Sequence, residues 1–430
     1  MRLGRKDFLK GLGVAALGAT SASVMDAARP APADRPRGLL PFESKNPAPF
    51  WNRVRDLYAR HDDFAYLNCG GLGPASRPVL EKYDQVTADL DLKVETGHAM
   101  HEPARKVAAE FFGVTPEEVC FVRNTTEGNS IVACGLNMKA GDEVIFESHA
   151  HPGGSIPWLN RAHRQGIVVR TFEPDPSSAA GNLERISALI TPRTKVIQIS
   201  HVTAPTGIVM PVKAIAKLAR EKGCWFHVDG AQSGGMLNFS LRDIGCDSYA
   251  TSGHKWIGAP RETGLLFIRR DRIDEVAPTF VGAYTSDDFS FSGKLVYVDG
   301  VKRHEYGTRN TALIMGVAEA MRFHDEIGRQ RVLDYGTDLA WRVHRGLERI
   351  PRVTVLTPSV PELRAAITTF AVEGATATKI FGYLLNRHQL RCRPVTEDGL
   401  QAVRVSTHVF NTANECDRVV QGVTEFVRTL

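Results

Sequence analysis

Between Val119 and Ile268 short apolar runs alternate with stretches of helical periodicity, and this alternation limits the possible architecture more than any other feature. The runs are Val119 to Val122, Asp142 to Phe146, Val168 to Phe172, Lys195 to Val202, Trp225 to Val228, Ser248 to Thr251 and Gly264 to Ile268. Most are rich in β-branched or aromatic residues and close on small or polar ones, so they read as strands. Helices fit between several of them, at Ile131 to Leu136, Trp158 to Arg164 and Val212 to Lys222. The pattern predicts an α/β fold with a mainly parallel sheet of seven strands. In such sheets ligands sit beyond the carboxyl ends of the strands.

Two of those ends lie within Trp225 to Trp256. The first, W-F-H-V-D-G-A-Q, delivers Asp229 and then Gln232; the second, S-Y-A-T-S-G-H-K-W, delivers Ser252, His254 and Lys255. An acid and a lysine at one sheet edge suit pyridoxal phosphate, whose aldehyde a lysine holds as a Schiff base and whose pyridinium proton a carboxylate retains. Gln232 is placed to touch the phenolic oxygen of that ring. Such a site also needs an anion cradle and a group stacked on the ring. Asn124-Thr125-Thr126-Glu127-Gly128 lies between a strand and a helix, where free N–H groups and the helix dipole favour a phosphate. Thr125, Thr126, Ser252 and His254 add side-chain donors. His149 and His151 follow a strand in E-S-H-A-H-P-G-G; no convincing third ligand makes them a metal pair, so one of them is expected to stack on the ring.

The rest of the chain divides around this core. Residues 1–28 combine a basic start, M-R-L-G-R-K-D-F-L-K, with a Gly/Ala-rich apolar run and small residues near Ala22 to Ala28. These are the parts of an export signal of twin-arginine type, with Lys6 where the second arginine usually stands. The run is too short and too weakly apolar to span a membrane. A periplasmic location is therefore expected, the protein travelling folded with its cofactor; without a working signal it stays cytoplasmic. Residues 29–60 read as a Pro- and Arg-rich arm with a short helix from Phe50, and Arg77 to Gly113 as helical. A large cofactor-binding domain is expected over 61–309 and a smaller α+β domain over 310–430. The net charge of +5 is spread along the chain, which argues against nucleic acid as a partner. Seven widely spaced cysteines without a C-x-x-C suggest neither a disulfide framework nor a zinc site.

Taken together, the motifs resemble the class V aminotransferase family of pyridoxal phosphate enzymes, of fold type I. The resemblance rests on L-N-C-G-G-L-G-P at Leu67 to Pro74, N-T-T-E-G at Asn124 to Gly128, S-H-V-T-A-P-T-G at Ser200 to Gly207, and H-V-D-G-A-Q at His227 to Gln232. It continues through S-G-H-K-W at Ser252 to Trp256, R-H-E-Y-G-T-R-N at Arg303 to Asn310 and V-R-V-S-T-H-V-F-N-T at Val403 to Thr412. It implies Lys255 as the Schiff-base lysine, Asp229 at the ring nitrogen, Gln232 at the phenolic oxygen, and Thr125 or Thr126, Ser252 and His254 on the phosphate. It also implies His149 as the stacking residue and Arg404 as the clamp for a substrate carboxylate, with Asn68 beside the substrate. Thr308 matches a phosphate ligand sent across a dimer interface, which implies a homodimer with shared sites.

Two departures stand out. Cysteine desulfurases in the family carry their sulfur acceptor on a loop several residues after an arginine, whereas here Cys392 directly follows Arg391. Ala204 stands where many relatives place Asn or Ser near the phenolic oxygen. The H-P-G-G segment, the P-T-G turn and the N-terminus are most similar to the isopenicillin N epimerase-like branch, some members of which tailor pyoverdine-type siderophores. The expected function is chemistry at the Cα of an amino acid or peptide-borne amino/carboxylate substrate, by transamination or epimerisation. The alternative is a C–S or C–N lyase, or desulfurase-like chemistry.

Overall fold

The computed structural model describes residues 38–59 and 64–430. The export segment 1–28 and the first part of the arm lie outside the described residues. The seven predicted strands form one sheet: β1 (Val119–Val122), β2 (Glu143–Glu147), β3 (Val168–Phe172), β4 (Thr194–Ser200), β5 (Trp225–Asp229), β6 (Ser248–Ser252) and β7 (Gly264–Ile268). Their order is β1-β7-β6-β5-β4-β2-β3. All pairs are parallel except the two made by β7. The short link between β6 and β7 contains no crossover helix, so the chain returns antiparallel, and that link carries Lys255.

The apolar character of the inner strands follows from burial on both faces, whereas the edge strand β3 is largely exposed. Val144, Phe146, Val196, Leu266 and Ile268 enter one core, with Ile131, Val132 and Trp158 from the helices on that side. Their neighbours Ile145, Ile197, Leu265 and Phe267 point the other way, into a core completed by Phe111, Phe112, Ile215 and Met321. One departure from expectation concerns Arg77 to Gly113, which is not one helix. It runs as Arg77–Lys93 and His101–Phe112, because Val94 takes a left-handed φ of 53° and Gly97 one of 71° between them. The helix Ala179–Leu189, capped by Ser178, was not anticipated.

A second, antiparallel sheet contains β8 (Val353–Val355), β9 (Ile367–Val372), β10 (Arg393–Val395) and β11 (Ala402–Ser406), in the order β8-β9-β11-β10. One face packs on the helices Arg329–Leu347, Ala377–His388 and Ala413–Arg428, burying Phe370, Val403, Val405 and Val419. Period-two alternation then turns Ala402, Arg404 and Ser406 to the opposite face. Residues 65–67 join this second layer: Ala65 and Tyr66 pair with Leu390 and Arg391, and Ala65 and Leu67 enter its core. The arm contributes the helix Ala48–Asp56, whose Phe50, Trp51 and Val54 pack against Phe323, Ile327 and Val332. No described helix is long and apolar enough to cross a membrane.

Candidate active site

Strands β1, β5 and β6 end at one edge of the large sheet, and a cavity of about 310 Å³ opens there. Gly70, Gly71, Asn124, Thr125, Thr126, Asn129, His151, Gly153, Asp229, Gln232, Ser252, His254 and Lys255 line it, and from the second sheet come Arg393 and Arg404. The site therefore lies between the two layers. The first layer supplies a lysine, an acid and a helix N-terminus; the second supplies two guanidinium groups.

The cradle forms at the start of the helix Thr125–Gly135. Asn124 caps it by accepting the Glu127 N–H at 2.9 Å. Ser252, from the end of β6, accepts the Thr125 N–H at 3.0 Å and lies 2.7 Å from its hydroxyl. Thr126 is exposed at the same turn, and His254 donates from Nδ1 to the Thr263 carbonyl at 3.1 Å. These groups surround the positive end of the helix, an arrangement suited to an anion.

Asp229 is buried and held from two sides. Its Oδ2 accepts from Asn129 Nδ2 at 2.8 Å, and its Oδ1 accepts the Ala231 N–H at 3.0 Å. Asn129 in turn lies 2.8 Å from His227 Nε2, and His227 Nδ1 lies 2.8 Å from the Ser248 hydroxyl. Burial lowers the His227 pKa to about 4, so the ring is neutral: Nε2–H donates to Asn129, and Nδ1 accepts from Ser248. Sequence reading passed over Asn129 and His227. Asn129 sits one helical turn after Thr125, on the face the cradle uses, and that spacing was the available signal. Gln232 is fixed by two bonds, accepting from Trp256 Nε1 at 2.8 Å and donating to the Gly70 carbonyl at 2.9 Å.

Lys255 is placed by tight backbone packing. Gly258 N–H donates to its carbonyl at 3.0 Å, and a Cβ added to Gly73 would lie 1.7 Å from that oxygen, so only glycine fits there. Burial lowers the Lys255 pKa to about 8; Asp229 opposes the shift, and Arg404 and Arg393 add to it. The amine thus becomes a free nucleophile above about pH 8. Capture of pyridoxal phosphate by the cofactor-stripped protein is accordingly expected to speed up as pH rises through about 8 and to level off above it, as stopped-flow absorbance would record. A rate already flat from pH 6 would show that the lysine is not the titrating nucleophile.

Two expected site residues lie elsewhere. His149 does not line this cavity: its Nδ1 lies 3.0 Å from the Thr206 hydroxyl and its Nε2 3.0 Å from Glu173. His151 lines it instead, because it caps the helix Pro152–Gln165 by accepting the Gly153 N–H at 3.0 Å, which turns its ring toward Asp229 and Lys255. Thr308 is exposed on a separate cavity of about 220 Å³, beside Arg123, Glu262 and Tyr306. Its loop is anchored by Glu305, which pairs with Arg105 at 2.8 and 2.9 Å and accepts the Phe121 N–H at 2.8 Å.

Arg404 is 1% exposed. Its Nη1 donates to the Ala204 carbonyl at 2.8 Å and its Nη2 to Asn68 Oδ1 at 3.1 Å, while Nε has no partner. Among the described residues no carboxylate pairs with it, and burial, then Arg393, pulls its pKa down to about 9. No cysteine lines the cavity. Cys392 lies in the core behind the second sheet, where burial pushes its thiol up to about 12. No described cluster of His, Cys, Asp and Glu has the form of a metal site.

Comparison with known proteins agrees with this geometry. The aminotransferase class-V family model matches residues 80–419. The isopenicillin N epimerase of Amycolatopsis lactamdurans is 29% identical over 397 residues, covering 87% of this chain and 98% of that protein. The cysteine desulfurase of Salmonella agona (strain SL483) is 30% identical over 341 residues, covering 76% of this chain and 83% of that protein. A solved variant of C-DES, with glycine covalently linked to its PLP cofactor, has a TM-score of 0.78 at 26% identity, covering 86% of this chain and 99% of that one. The residues present fit the same cofactor: donors gather at a helix N-terminus, a carboxylate is locked by Asn129, and a lysine and an arginine without a carboxylate partner line the same cavity.

Proposed function

Because this chain belongs to the class-V aminotransferase family of pyridoxal phosphate enzymes, we propose that it acts at the Cα of an amino-acid substrate, free or carried in a peptide, by transamination or epimerisation. The observation that carries this reading is Arg404, a buried guanidinium facing the lysine cavity without a protein carboxylate. A substrate α-carboxylate would supply the missing anion in bidentate form. When bound, the cofactor supplies a conjugated ring that accepts the electrons of a bond broken at Cα.

The chain's own residues have separable tasks in this reading. Thr125, Ser252 and His254 hold the phosphate, with Thr126 at the cavity rim. Asp229, fixed by Asn129, keeps the ring nitrogen protonated. His151 covers one face, and Gln232 is placed for the phenolic oxygen. Lys255 would hold the cofactor covalently, and its amine is the base that would take or return a proton at Cα. Asn68 orients Arg404.

Arg404→Gln is expected to raise KM for amino-acid substrates by about 10- to 100-fold, the loss of one charge-assisted clamp, with a smaller change in kcat. The direct test incubates the enzyme with amino acids in D2O and follows deuterium entry at Cα by mass spectrometry. Absence of exchange, spectral change and keto-acid product with every amino acid and peptide tried would sink the reading. C–S or C–N lyase chemistry is the second reading, favoured by the desulfurase relative. Release of sulfide or ammonia in place of a transaminated or epimerised product would select it.

Three finer features belong to the same proposal. A second copy would bring its Thr308 to the cradle, supported by the exposure of this residue away from its own cavity; a monomer in sedimentation at assay concentration would remove it. Export through residues 1–28 is supported by their basic and apolar composition, and recovery from the cytoplasmic fraction alone would count against it. Tailoring of a pyoverdine-type siderophore is the narrowest form, supported by the epimerase relative and that leader. Unaltered siderophore in a deletion strain would exclude it.

A further inference from the structure

Taking Arg404 as the α-carboxylate site, we propose that Arg393 forms a second anion subsite in the same cavity, and that the substrate is an amino acid carrying a further carboxylate. Arg393 on β10 and Arg404 on β11 are direct partners in the antiparallel register. Side chains so placed start about 4.5–5.5 Å apart at Cβ, and like charges there destabilise a sheet. Both nevertheless line the lysine cavity. The arrangement is unfavourable for the empty protein and favourable for a ligand that brings two negative charges.

The internal compensation covers only one of the two. Arg393 donates from Nη2 to Glu397, four residues on, and its Nη1 is buried without a partner. Arg404 has no carboxylate and an unpartnered Nε. Asp229, the other acid at the cavity, is already held by Asn129 and the Ala231 N–H. A substrate α-carboxylate on Arg404 leaves Arg393 with Glu397 as a replaceable counter-ion. Glu397 sits on the short turn Glu397–Gly399 and also lines an adjoining cavity of about 380 Å³ beside His151, so it has space to withdraw when a distal carboxylate takes Arg393.

The test uses the cofactor-loaded enzyme and ligands that lack an amino group, reading the absorption of the bound cofactor during titration. Glutarate is expected to bind about 10- to 100-fold more tightly than pentanoate, its monocarboxylate counterpart. Arg393→Gln should bring the two to equal affinity, Arg393→Lys should keep part of the preference, and Glu397→Gln should strengthen glutarate binding. Equal binding of the two ligands to the unaltered enzyme would overturn the subsite, as would an Arg393→Gln variant that weakens both equally. If neither ligand binds, or if Arg404→Gln leaves pentanoate binding unchanged, the α-carboxylate assignment itself fails and the subsite falls with it.

Discussion

Replacing Lys255 with alanine is expected to lower turnover by at least about 10³-fold and to leave purified protein without the visible absorption of covalently held pyridoxal phosphate. Two losses coincide in this variant. The anchor is gone, and so is the amine that exchanges a proton with Cα. No other lysine lines the cavity, so no neighbour can substitute. The fold should be unaffected, because the backbone at this position is held by Gly258 and packed against Gly73, contacts that alanine keeps. Removing an amine whose charged form burial already disfavours costs the folded state little. The measurement pairs an absorption spectrum with a denaturation curve. Retention of the visible band at an unchanged midpoint would show that another group holds the cofactor.

Glu305→Gln should cost about 3–5 kcal/mol of stability, a loss typical of a buried ion pair deprived of one partner. The variant leaves the Arg105 guanidinium, 2% exposed, with the Val119 carbonyl at 2.8 Å and Glu102, itself largely exposed, at 3.3 Å as its only carboxylate. It also weakens the tie from Glu305 to Phe121 in β1 that fixes the loop bearing Thr308. A lowered denaturation midpoint with weaker cofactor retention is the expected pair of results. Burial pulls the Glu305 pKa up, but the charge and hydrogen bonds of Arg105 outweigh it, so its net shift is downward. A depressed carboxylate contributes stability above its unfolded pKa of about 4.3 and loses it as pH falls through the folded value. The gap between parent and variant should therefore be level at neutral pH and narrow in acid. A gap that stays level down to pH 2 would show that packing, not charge, carries the effect.

Much of this was legible in the linear chain. The inner strands of the large sheet announced themselves because burial on both faces favours apolar runs, and the largely exposed edge strand Val168–Phe172 did so through its β-branched residues. Asp229, Ser252 and Lys255 were legible because each follows such a run within a few residues. The cradle at Thr125 was legible for the same reason. The break at Val94 was not, since a left-handed residue with a β-branched side chain carries no local signal of the kind glycine gives.

What the sequence determined by itself was the class of fold and the strand-end residues of the cavity, Asp229, Gln232, Ser252, His254 and Lys255, since both follow from local periodicity and from short-range order along the chain. Tertiary structure decided which of two histidines faces that cavity. His151 is turned inward by capping its own helix, whereas His149 is drawn away by Thr206 and Glu173, residues distant in sequence. It likewise decided that Asn129, braced by His227, holds Asp229, and that Arg393 stands opposite Arg404. Those pairings depend on strand register and on the packing of one layer over another, and neither is encoded in any single stretch of residues.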